Sequence, residues 1–323
     1  MSDTVLSVEG LKTWFFTKAG TLKAVDGVSF SLARGEILGL VGESGSGKSI
    51  TGFSILGLVD APGRIVEGSV RFKGEELVGA GEERLRALRG RRIAMIFQDP
   101  MMTLNPVLRI DTQMIEAIRA HETIDERKAR ERCVEALAKV GIPSPEERLK
   151  SYPHQLSGGM RQRVAIAIAL LHSPDLIIAD EPTTALDVTI QAQILFEVQK
   201  LCAETGTALI WVTHDLAVVS GLADRIAVMY AGRIVEQGPV GDVVQRPLHP
   251  YARGLLDSVP SANARGERLR QIPGMAPSLA ALPQGCPFRP RCPRADDVCL
   301  AEPAETEILP GRTARCFHPL ETA

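Results

Sequence analysis

A complete phosphate-loop pattern, G-x-x-x-x-G-K-[ST], occupies residues 42–49 of the 323-residue chain. Glycines let successive backbone N–H groups curl around an anion, and the N-terminus of a following helix adds a positive dipole. In this pattern Lys48 reaches the β- and γ-phosphates, and the hydroxyl of Ser49 ligates Mg²⁺. An apolar run precedes the loop and the helix-like run SITGFSILGLV follows it, which argues against a chance glycine-rich turn. The residues expected to bind a nucleotide are Gly42, Ser44, Gly45, Ser46, Gly47, Lys48, Ser49 and Ile50.

Two adjacent carboxylates end a second apolar run, DLIIADEP, at residues 175–182. A buried strand ending there would place Asp180 where it can hold Mg²⁺ through water. Glu181, one residue further, can polarise a water that attacks the γ-phosphate. Strands capped by solvated acids are common, but beside a full phosphate loop the pair favours nucleotide hydrolysis.

A third motif, LSGGMRQR, spans residues 156–163 and stands ahead of the helical run VAIAIALL. Ser157 is a good helix N-cap, and Gly158 and Gly159 leave backbone N–H groups open to an anion. Taken locally, the motif predicts only the start of a helix.

The order LSGG-x-x-QR and then DLIIADEP resembles the signature and Walker B motifs of ABC-type ATPases, and the resemblance covers roughly residues 1–245. It implies that two cassettes pair head to tail, so that each ATP lies between one Walker A loop and the Ser157 signature of the partner. Gln98 is then the Q-loop residue, a further Mg²⁺ ligand with a catalytic role. The stretch Ala185-Leu186-Asp187 is the D-loop, and His214 is the switch that contacts the γ-phosphate and holds Glu181.

ABC-type ATPases stack adenine on an aromatic side chain of an early strand. Counted from the strand that begins at Leu11, Phe15 is the best match, and Trp14 and Phe16 are close competitors. Stacking needs only a flat π-face, so either neighbour could take its place.

Three segments resemble one branch of the family, the oligopeptide and dipeptide importer ATPases with their nickel and glutathione relatives: VGESGSGKS, QDPMMTLNP and RPLHPYARGLLDSVP. The resemblance implies an ATPase that powers uptake across the cytoplasmic membrane from its cytoplasmic face. Its partners would be two transmembrane permease subunits, an extracytoplasmic binding protein and a second cassette, for which a paralogue is favoured over a copy. The QDPMMTLNP segment would face the coupling helices of the permeases. Selection of the cargo would lie in the binding protein and the permeases.

A soluble ABC ATPase acting on ribosomes or nucleic acid is the alternative function. Ribosome-acting members usually carry two cassettes, whereas this chain has one phosphate loop. With 37 basic and 39 acidic residues, the net charge of −2 creates no field that would draw the chain to nucleic acid. The longest apolar stretch, Val164 to Leu171, is far short of the ~20 residues of a membrane span, and the N-terminus shows no secretory signal pattern.

Short β-like runs alternating with amphipathic helices predict an α/β fold, with a helical subdomain at about residues 100–165. Predicted strands cover residues 5–8, 11–16, 27–32 and 37–41, and a helical pattern runs from Val107 to about Gly141, with Asp125 as an internal N-cap. Beyond residue 245 the last 78 residues hold 12 of the 21 prolines and no lysine. The predicted domains are therefore 1–245, the ATPase, and 246–323, a Cys/Pro-rich extension.

Four cysteines crowd the extension with the spacing C-x5-C-x6-C-x16-C: Cys286, Cys292, Cys299 and Cys316. The spacing fits neither the usual zinc ribbon nor a bacterial ferredoxin run, so it leaves zinc, a [4Fe–4S] cluster and four free thiols open. A bound metal would cross-link this segment, which has few apolar residues to form a hydrophobic core. In a zinc site, His318 could replace one of the cysteines. Resemblance to the importer ATPases favours the cluster. Cys133 and Cys202 are interpreted as buried structural thiols.

Overall fold

The computed structural model describes residues 3–183, 188–259 and 271–320, so the predicted D-loop, Ala185-Leu186-Asp187, lies outside the described residues. Within these ranges the strands are β1 (Thr4–Thr17), β2 (Gly20–Ala33), β3 (Ile37–Val41), β4 (Gly63–Phe72), β5 (Glu75–Glu76), β6 (Ile93–Ile96), β7 (Leu176–Asp180), β8 (Ala208–Thr213), β9 (Arg225–Tyr230), β10 (Arg233–Pro239), β11 (Thr306–Leu309) and β12 (Arg312–Ala314).

The helices of the same ranges are α1 (Lys48–Ile55), α2 (Glu82–Leu88), α3 (Pro100–Thr103), α4 (Ile110–Arg119), α5 (Glu126–Lys139), α6 (Pro145–Arg148), α7 (Gly158–Leu170), α8 (Val188–Thr205), α9 (Leu216–Ser220), α10 (Val240–Gln245) and α11 (Pro250–Asp257). Strands and helices alternate along much of the chain, which confirms the predicted α/β class. None of the described helices combines the length and the apolar character that crossing a membrane would need.

The chain forms two compact units, each built from several segments. The first unit comprises Met1–Val5, Ala33–Glu36 and Ala80–Ile210. The second comprises Leu6–Leu32, Ile37–Gly79 and Trp211–Ala323. The predicted domain boundary at residue 245 stays a prediction.

In the first unit, β6 and β7 pair in parallel, from Ile93 opposite Leu176 to Ile96 opposite Ala179. The helical stretch predicted from Val107 to Gly141 is divided into α4 and α5. Asp125 caps α5 as predicted, because its carboxylate accepts the backbone N–H of Lys128 at 3.2 Å.

An ion pair joins α4 to α5 in the first unit. The carboxylate of Asp111, which is buried, lies 2.9 Å from the guanidinium of Arg130. Because the Asp111 partner is buried, the pair adds a charge-assisted hydrogen bond between the two helices.

In the second unit, β1, β2, β4 and β5 form an antiparallel sheet in the order β2-β1-β4-β5. The two strands predicted at residues 5–8 and 11–16 are one strand, β1, whose register with β4 shifts between Glu9 and Lys12. Gly10 lies at this irregularity with φ of +57°, a conformation that glycine adopts without steric cost.

A second sheet of this unit runs in the order β11-β12-β10-β9-β3. Every residue of β3 is buried, and its pairing with β9 is parallel, from Leu38 opposite Arg225 to Val41 opposite Val228. The extension contributes β12, which pairs antiparallel with β10 through Glu236 opposite Ala314. Residues far beyond position 245 are therefore part of the same sheet as the strand that leads into the phosphate loop.

Candidate functional site

The phosphate loop links β3, which ends at Val41, to α1, which begins at Lys48. A Cβ at Gly42 would lie 2.1 Å from the carbonyl oxygen of Met229, and one at Gly47 would lie 2.2 Å from that of Ala24. Gly47 also has a φ of +103°, which disfavours any other residue. The two glycines of the motif are thus required by close backbone approach.

Lys48 lies across the loop that it follows. Its Nζ donates to the carbonyl of Gly42 at 2.8 Å and to that of Glu43 at 3.0 Å. The side chain is buried, whereas Ser44 and Gly45 at the tip of the loop are exposed. The loop therefore presents open backbone at its tip and an ammonium group at its base, the arrangement by which helix N-termini bind phosphate.

The remaining loop residues complete this arrangement. Ser46 is buried, and its N–H donates to the carbonyl of Glu43 at 3.2 Å. Ser49 and Ile50 are half-buried in the first turn of α1. A hydroxyl at Ser49 is thus placed on the first turn, next to the phosphate loop.

The three aromatic candidates for adenine stacking lie in succession on β1. The ring of Phe15 packs against Gly63, where a Cβ would approach it to 2.6 Å. Trp14 receives the Lys23 ammonium 4.7 Å from its ring centroid, and Phe16, which is exposed, receives the Arg64 guanidinium at 4.5 Å. The choice among the three stays a prediction.

The carboxylate pair of the first unit lies at the end of β7. Asp180 is buried as the last residue of the strand, and Glu181 follows it with a φ of +45°. This left-handed backbone is strained for glutamate, and such strain is concentrated at functional sites. The amide of Gln98 donates to the Glu181 carboxylate at 3.3 Å, so two of the predicted catalytic residues meet.

The signature segment forms a helix start, as the sequence predicts. Ser157 caps α7 by accepting the N–H of Met160 at 3.3 Å, and both Ser157 and Gly158 are exposed. A Cβ at Gly158 would meet no atom within 4 Å, and Gly159 follows it in the first turn of α7. This helix start therefore faces open space.

His214 is exposed and directly follows β8. The next residue, Asp215, caps α9 by accepting the N–H of Ala217 at 2.8 Å. The predicted switch is thus held between the end of a buried strand and a capped helix.

One residue of the loop makes contacts that the sequence pattern does not reveal. The N–H of Glu43 donates to the hydroxyl of Tyr251 at 2.9 Å, and its carboxylate binds Arg291 at 2.6 and 2.9 Å. Tyr251 belongs to the run RPLHPYARGLLDSVP, which is the signal that could have pointed to it. Arg291 belongs to the run CPFRPRCPRADDVC, which shares the same family resemblance, but the cysteines of that run point to a metal and not to the phosphate loop.

The four cysteines of the extension are free thiols in the structure, as are the buried Cys133 and Cys202. Cys299 is buried, and the other three are half-buried. The N–H of Cys286 donates to the carbonyl of Cys299 at 3.0 Å, and the N–H of His318 donates to Cys316 Sγ at 3.4 Å. Because Cys286, Cys292 and Cys299 all act electrostatically on Cys316, the four residues share one small region of the second unit.

The pKa of Cys316 is raised to about 11, chiefly by burial and in smaller part by the proximity of the other three cysteines. Burial likewise raises the pKa of Cys286 and of Cys292, and Cys299 adds to both effects. Backbone hydrogen bonds to these sulfurs oppose the increase. Burial therefore favours the neutral thiol at Cys286, Cys292 and Cys316, and a bound cation would favour the thiolate.

A second set of donors overlaps this cluster. The ligand atoms of Asp296, Cys299 and His318 all lie within 4.8 Å of one another, and His318 Nε2 is 2.9 Å from the Asp296 carboxylate. The hydrogen bond from His318 holds the pKa of Asp296 below its usual range. Among the described residues, no three of the four cysteine sulfurs are that close together.

A strand, a glycine loop and a helix that carry lysine and serine, with a strand that ends in two carboxylates, define a P-loop ATPase. Residues 25–184 match the family "ABC transporter", and residues 235–299 match "Oligopeptide/dipeptide transporter, C-terminal region". The chain belongs to the ABC transporter family, among its oligopeptide and dipeptide transport ATP-binding proteins.

Curated relatives match over nearly the whole chain. The oligopeptide transport ATP-binding protein OppD of Escherichia coli (strain K12) is 50% identical over 99% of this chain and 95% of its own length. AppD of Bacillus subtilis (strain 168), an oligopeptide transport ATP-binding protein, is 50% identical over 98% and 97%. DppD of the same organism, a dipeptide transport ATP-binding protein, is 48% identical over 97% and 92%.

Among solved structures, the dimeric bacterial ABC transporter cassette MJ0796 aligns with a TM-score of 0.66 at 27% identity, over 73% of this chain and 98% of that one. The same cassette in a post-hydrolysis state bound to ADP and Pi aligns equally well. The chain is accordingly an ABC-type ATPase, and the predicted fold and enzyme class are confirmed.

Proposed function

We propose that this chain is the ATP-hydrolysing subunit of an importer for oligopeptides or dipeptides. The observation that carries the proposal is the pairing of an intact phosphate loop with a C-terminal region of the oligopeptide/dipeptide type in one chain. ATP-driven closure of two cassettes would do work on separate permease subunits. The non-transport alternative finds no support in relatives that match along the full chain and are named for peptide transport.

Each motif residue has a proposed role toward Mg-ATP. Lys48 and the loop N–H groups bind the β- and γ-phosphates, and Mg²⁺ is held by Ser49, Gln98 and, through water, Asp180. Glu181 polarises the attacking water. The strained backbone of Glu181 and its contact with Gln98 support this assignment.

The other site residues act on the same nucleotide in this proposal. His214 contacts the γ-phosphate, and an aromatic of β1, with Phe15 preferred, stacks on adenine. The exposed helix start at Ser157, Gly158 and Gly159 binds the nucleotide held by the partner cassette, because its N–H groups are open to an anion.

The proposed partners are a second cassette, for which a paralogue is preferred, two transmembrane permeases and an extracytoplasmic binding protein. The chain would lie peripherally on the cytoplasmic face of the membrane. The segment QDPMMTLNP would meet the permeases, and the exposed side chains of Met101 within it and of Val107 directly after it suit an apolar contact.

We infer that the four cysteines hold a metal group. Cys286, Cys292 and Cys299 all raise the pKa of Cys316, which supports a site shared by the four residues. Four thiolates suit a [4Fe–4S] cluster, which we prefer because the tail resembles that of the importer ATPases, and Asp296, Cys299 and His318 are the competing zinc set. When bound, the group would neutralise the thiolates and cross-link the extension.

Reconstitution tests the transport proposal. The chain would be co-expressed with the permease subunits and second cassette of a peptide importer and placed in vesicles with the binding protein, and ATPase activity would be measured with and without peptides. Peptide-stimulated activity that is lost in a Lys48→Ala variant is the expected result. Co-sedimentation with ribosomes, with no activity dependent on permeases, would favour the alternative.

A further inference from the structure

Glu43, the second residue of the phosphate loop, is held through three of its groups. Its carbonyl accepts a hydrogen bond from Lys48 Nζ at 3.0 Å. Its N–H donates to the hydroxyl of Tyr251 at 2.9 Å. Its carboxylate receives both terminal nitrogens of Arg291, at 2.6 and 2.9 Å. Two residues that follow the ATPase motifs by many positions therefore contact a residue to which Lys48 also binds.

The guanidinium of Arg291 is prearranged for this contact. Its side chain is only 5% exposed, and its Nε donates to the carbonyl of Pro273 at 2.9 Å. The rings of Tyr230 and Phe288 lie 5.9 and 6.0 Å from the guanidinium carbon. With its plane and one nitrogen fixed, the fork is directed at the carboxylate of Glu43, a bidentate geometry that lysine cannot reproduce.

Tyr251 approaches the same residue from α11. Its ring is fully buried and packs against Tyr230 at 4.5 Å and Phe288 at 5.4 Å between centroids. Burial raises the pKa of Tyr251, so the hydroxyl stays protonated. A hydroxyl held by a packed ring is a fixed acceptor for the N–H of Glu43.

We propose that Arg291 and Tyr251 are positioning residues that hold the phosphate loop in the shape that receives a nucleotide. Tyr251 fixes the peptide group before Glu43 and Arg291 fixes its side chain. The ammonium of Lys48 in turn binds the carbonyls of Gly42 and Glu43. A preorganised loop does not bear the ordering cost when the phosphates bind, so affinity for Mg-nucleotide rises. The proposal rests on the proposed role of the loop in binding ATP.

This arrangement gives the extension a function beyond packing. Arg291 is the residue before Cys292, and Tyr251 lies in the run that follows the ATPase motifs. The nucleotide affinity of the cassette then depends on whether the extension is folded in place.

A double-mutant cycle on the full-length chain tests the proposal. The variants are Glu43→Gln, Arg291→Gln and both together, and the measurement is the dissociation constant of a fluorescent ATP analogue and of ADP. Because each single variant removes hydrogen bonds between charged groups, each should bind the nucleotide about tenfold more weakly than the wild type. The two residues act through one contact, so the double variant should have the same affinity as the single variant that binds the nucleotide less tightly.

Conservative and control variants sharpen the test. Arg291→Lys keeps the charge but not the two-pronged geometry of the guanidinium, so its nucleotide affinity should stay as low as that of Arg291→Gln. Tyr251→Phe keeps the ring packing but loses the hydroxyl and should also bind nucleotide more weakly than the wild type. Arg253→Gln, at an exposed position of the same helix as Tyr251, should bind like the wild type. Melting temperatures without nucleotide report the fold of each variant.

If the Arg291 variants do not fold, the Glu43→Gln variant provides the test, because the Glu43 side chain is 31% exposed and its replacement leaves the core packing unchanged. Wild-type or tighter affinity in a folded Glu43→Gln variant overturns the proposal, as do additive effects in the cycle. Failure of the proposed function looks different: the wild type itself, and not only its variants, would bind no ATP, and Lys48→Ala would change nothing.

Discussion

The carboxylate of Glu236, fully buried on β10, accepts a hydrogen bond at 2.8 Å from the guanidinium of Arg312 on β12. The same carboxylate accepts the N–H groups of Leu248 and His249, both at 2.8 Å. One buried anion thus joins a strand of the ATPase region to the turn before α11 and to the end of the extension.

Replacing Arg312 by Met should lower the free energy of unfolding by about 3–5 kcal/mol, because it leaves the Glu236 carboxylate buried without its cation. The double variant Glu236→Gln, Arg312→Met should recover much of the loss, since no buried charge remains. Urea unfolding of the full chain measures both. An Arg312→Met variant as stable as the wild type would show that the Glu236–Arg312 pair does not contribute this stability.

A histidine of the same network predicts acid sensitivity. Burial lowers the pKa of His249 from 6.5 to about 4 in the folded chain, and its Nδ1 accepts the N–H of Tyr251 at 3.0 Å. The unfolded chain therefore takes up this proton first, and stability falls as the pH drops from 6.5 towards 4. The loss due to this group is about 3 kcal/mol.

The variant His249→Asn isolates this effect, because asparagine keeps an acceptor at the helix N-cap and does not titrate. The difference in stability between wild type and variant should shift in favour of the variant as the pH falls through this window. Parallel curves for the two proteins would contradict the assignment.

Glu181→Gln should reduce ATP hydrolysis by ~10²–10⁴-fold, because the group that polarises water is lost. ATP binding should persist, since the phosphate loop and the Mg²⁺ ligands are unchanged. ATP turnover is measured in the assembled transporter, and ATP affinity is measured on the isolated chain. Near-normal turnover of the variant would show that Glu181 is not the residue that polarises the attacking water.

Ser157→Arg should leave nucleotide binding to this chain intact but block the ATP-driven pairing of cassettes. A long cation would occupy the open space at the start of α7, where the partner's nucleotide is proposed to bind. Light scattering with ATP and the Glu181→Gln background measures pairing, and Ser157→Ala is the milder comparison. Normal pairing of the arginine variant would argue against the head-to-tail arrangement.

Anaerobically purified chain should be brown, absorb broadly near ~400 nm and contain about four irons. Because the cysteine pKa values are raised, metal uptake should release protons and weaken as the pH falls. A Cys292→Ser variant should lose the colour, whereas Cys133→Ser should retain it. Colourless protein that contains one zinc per chain would show that the site holds zinc and not a cluster. Protein without metal would contradict both assignments.

The phosphate loop was predictable because its function needs neighbouring residues in one strand, loop and helix. The same holds for Ser157 and for the carboxylates after β7, where the motif and the contact are local. Division of the helical stretch into α4 and α5 was less apparent, although the cap at Asp125 marked the restart.

The contact between Glu43 and Arg291 joins residues 248 positions apart, and no periodicity or spacing announces it. Likewise, the sequence marked a change of composition at residue 245 but gave no sign that Glu236 would be buried against Arg312. Long-range polar pairs depend on tertiary packing, so a single sequence carries little trace of them.

The pairing of β12 with β10 has a practical consequence for shortened forms of this protein. A chain that ends at residue 245 would lack β12 and leave the backbone of β10 as an open sheet edge, which other chains can join. In the full chain the sheet ends instead on β11, which is four residues long and begins with the exposed Thr306 and Glu307. Truncation before the extension should therefore yield aggregates rather than an isolated ATPase.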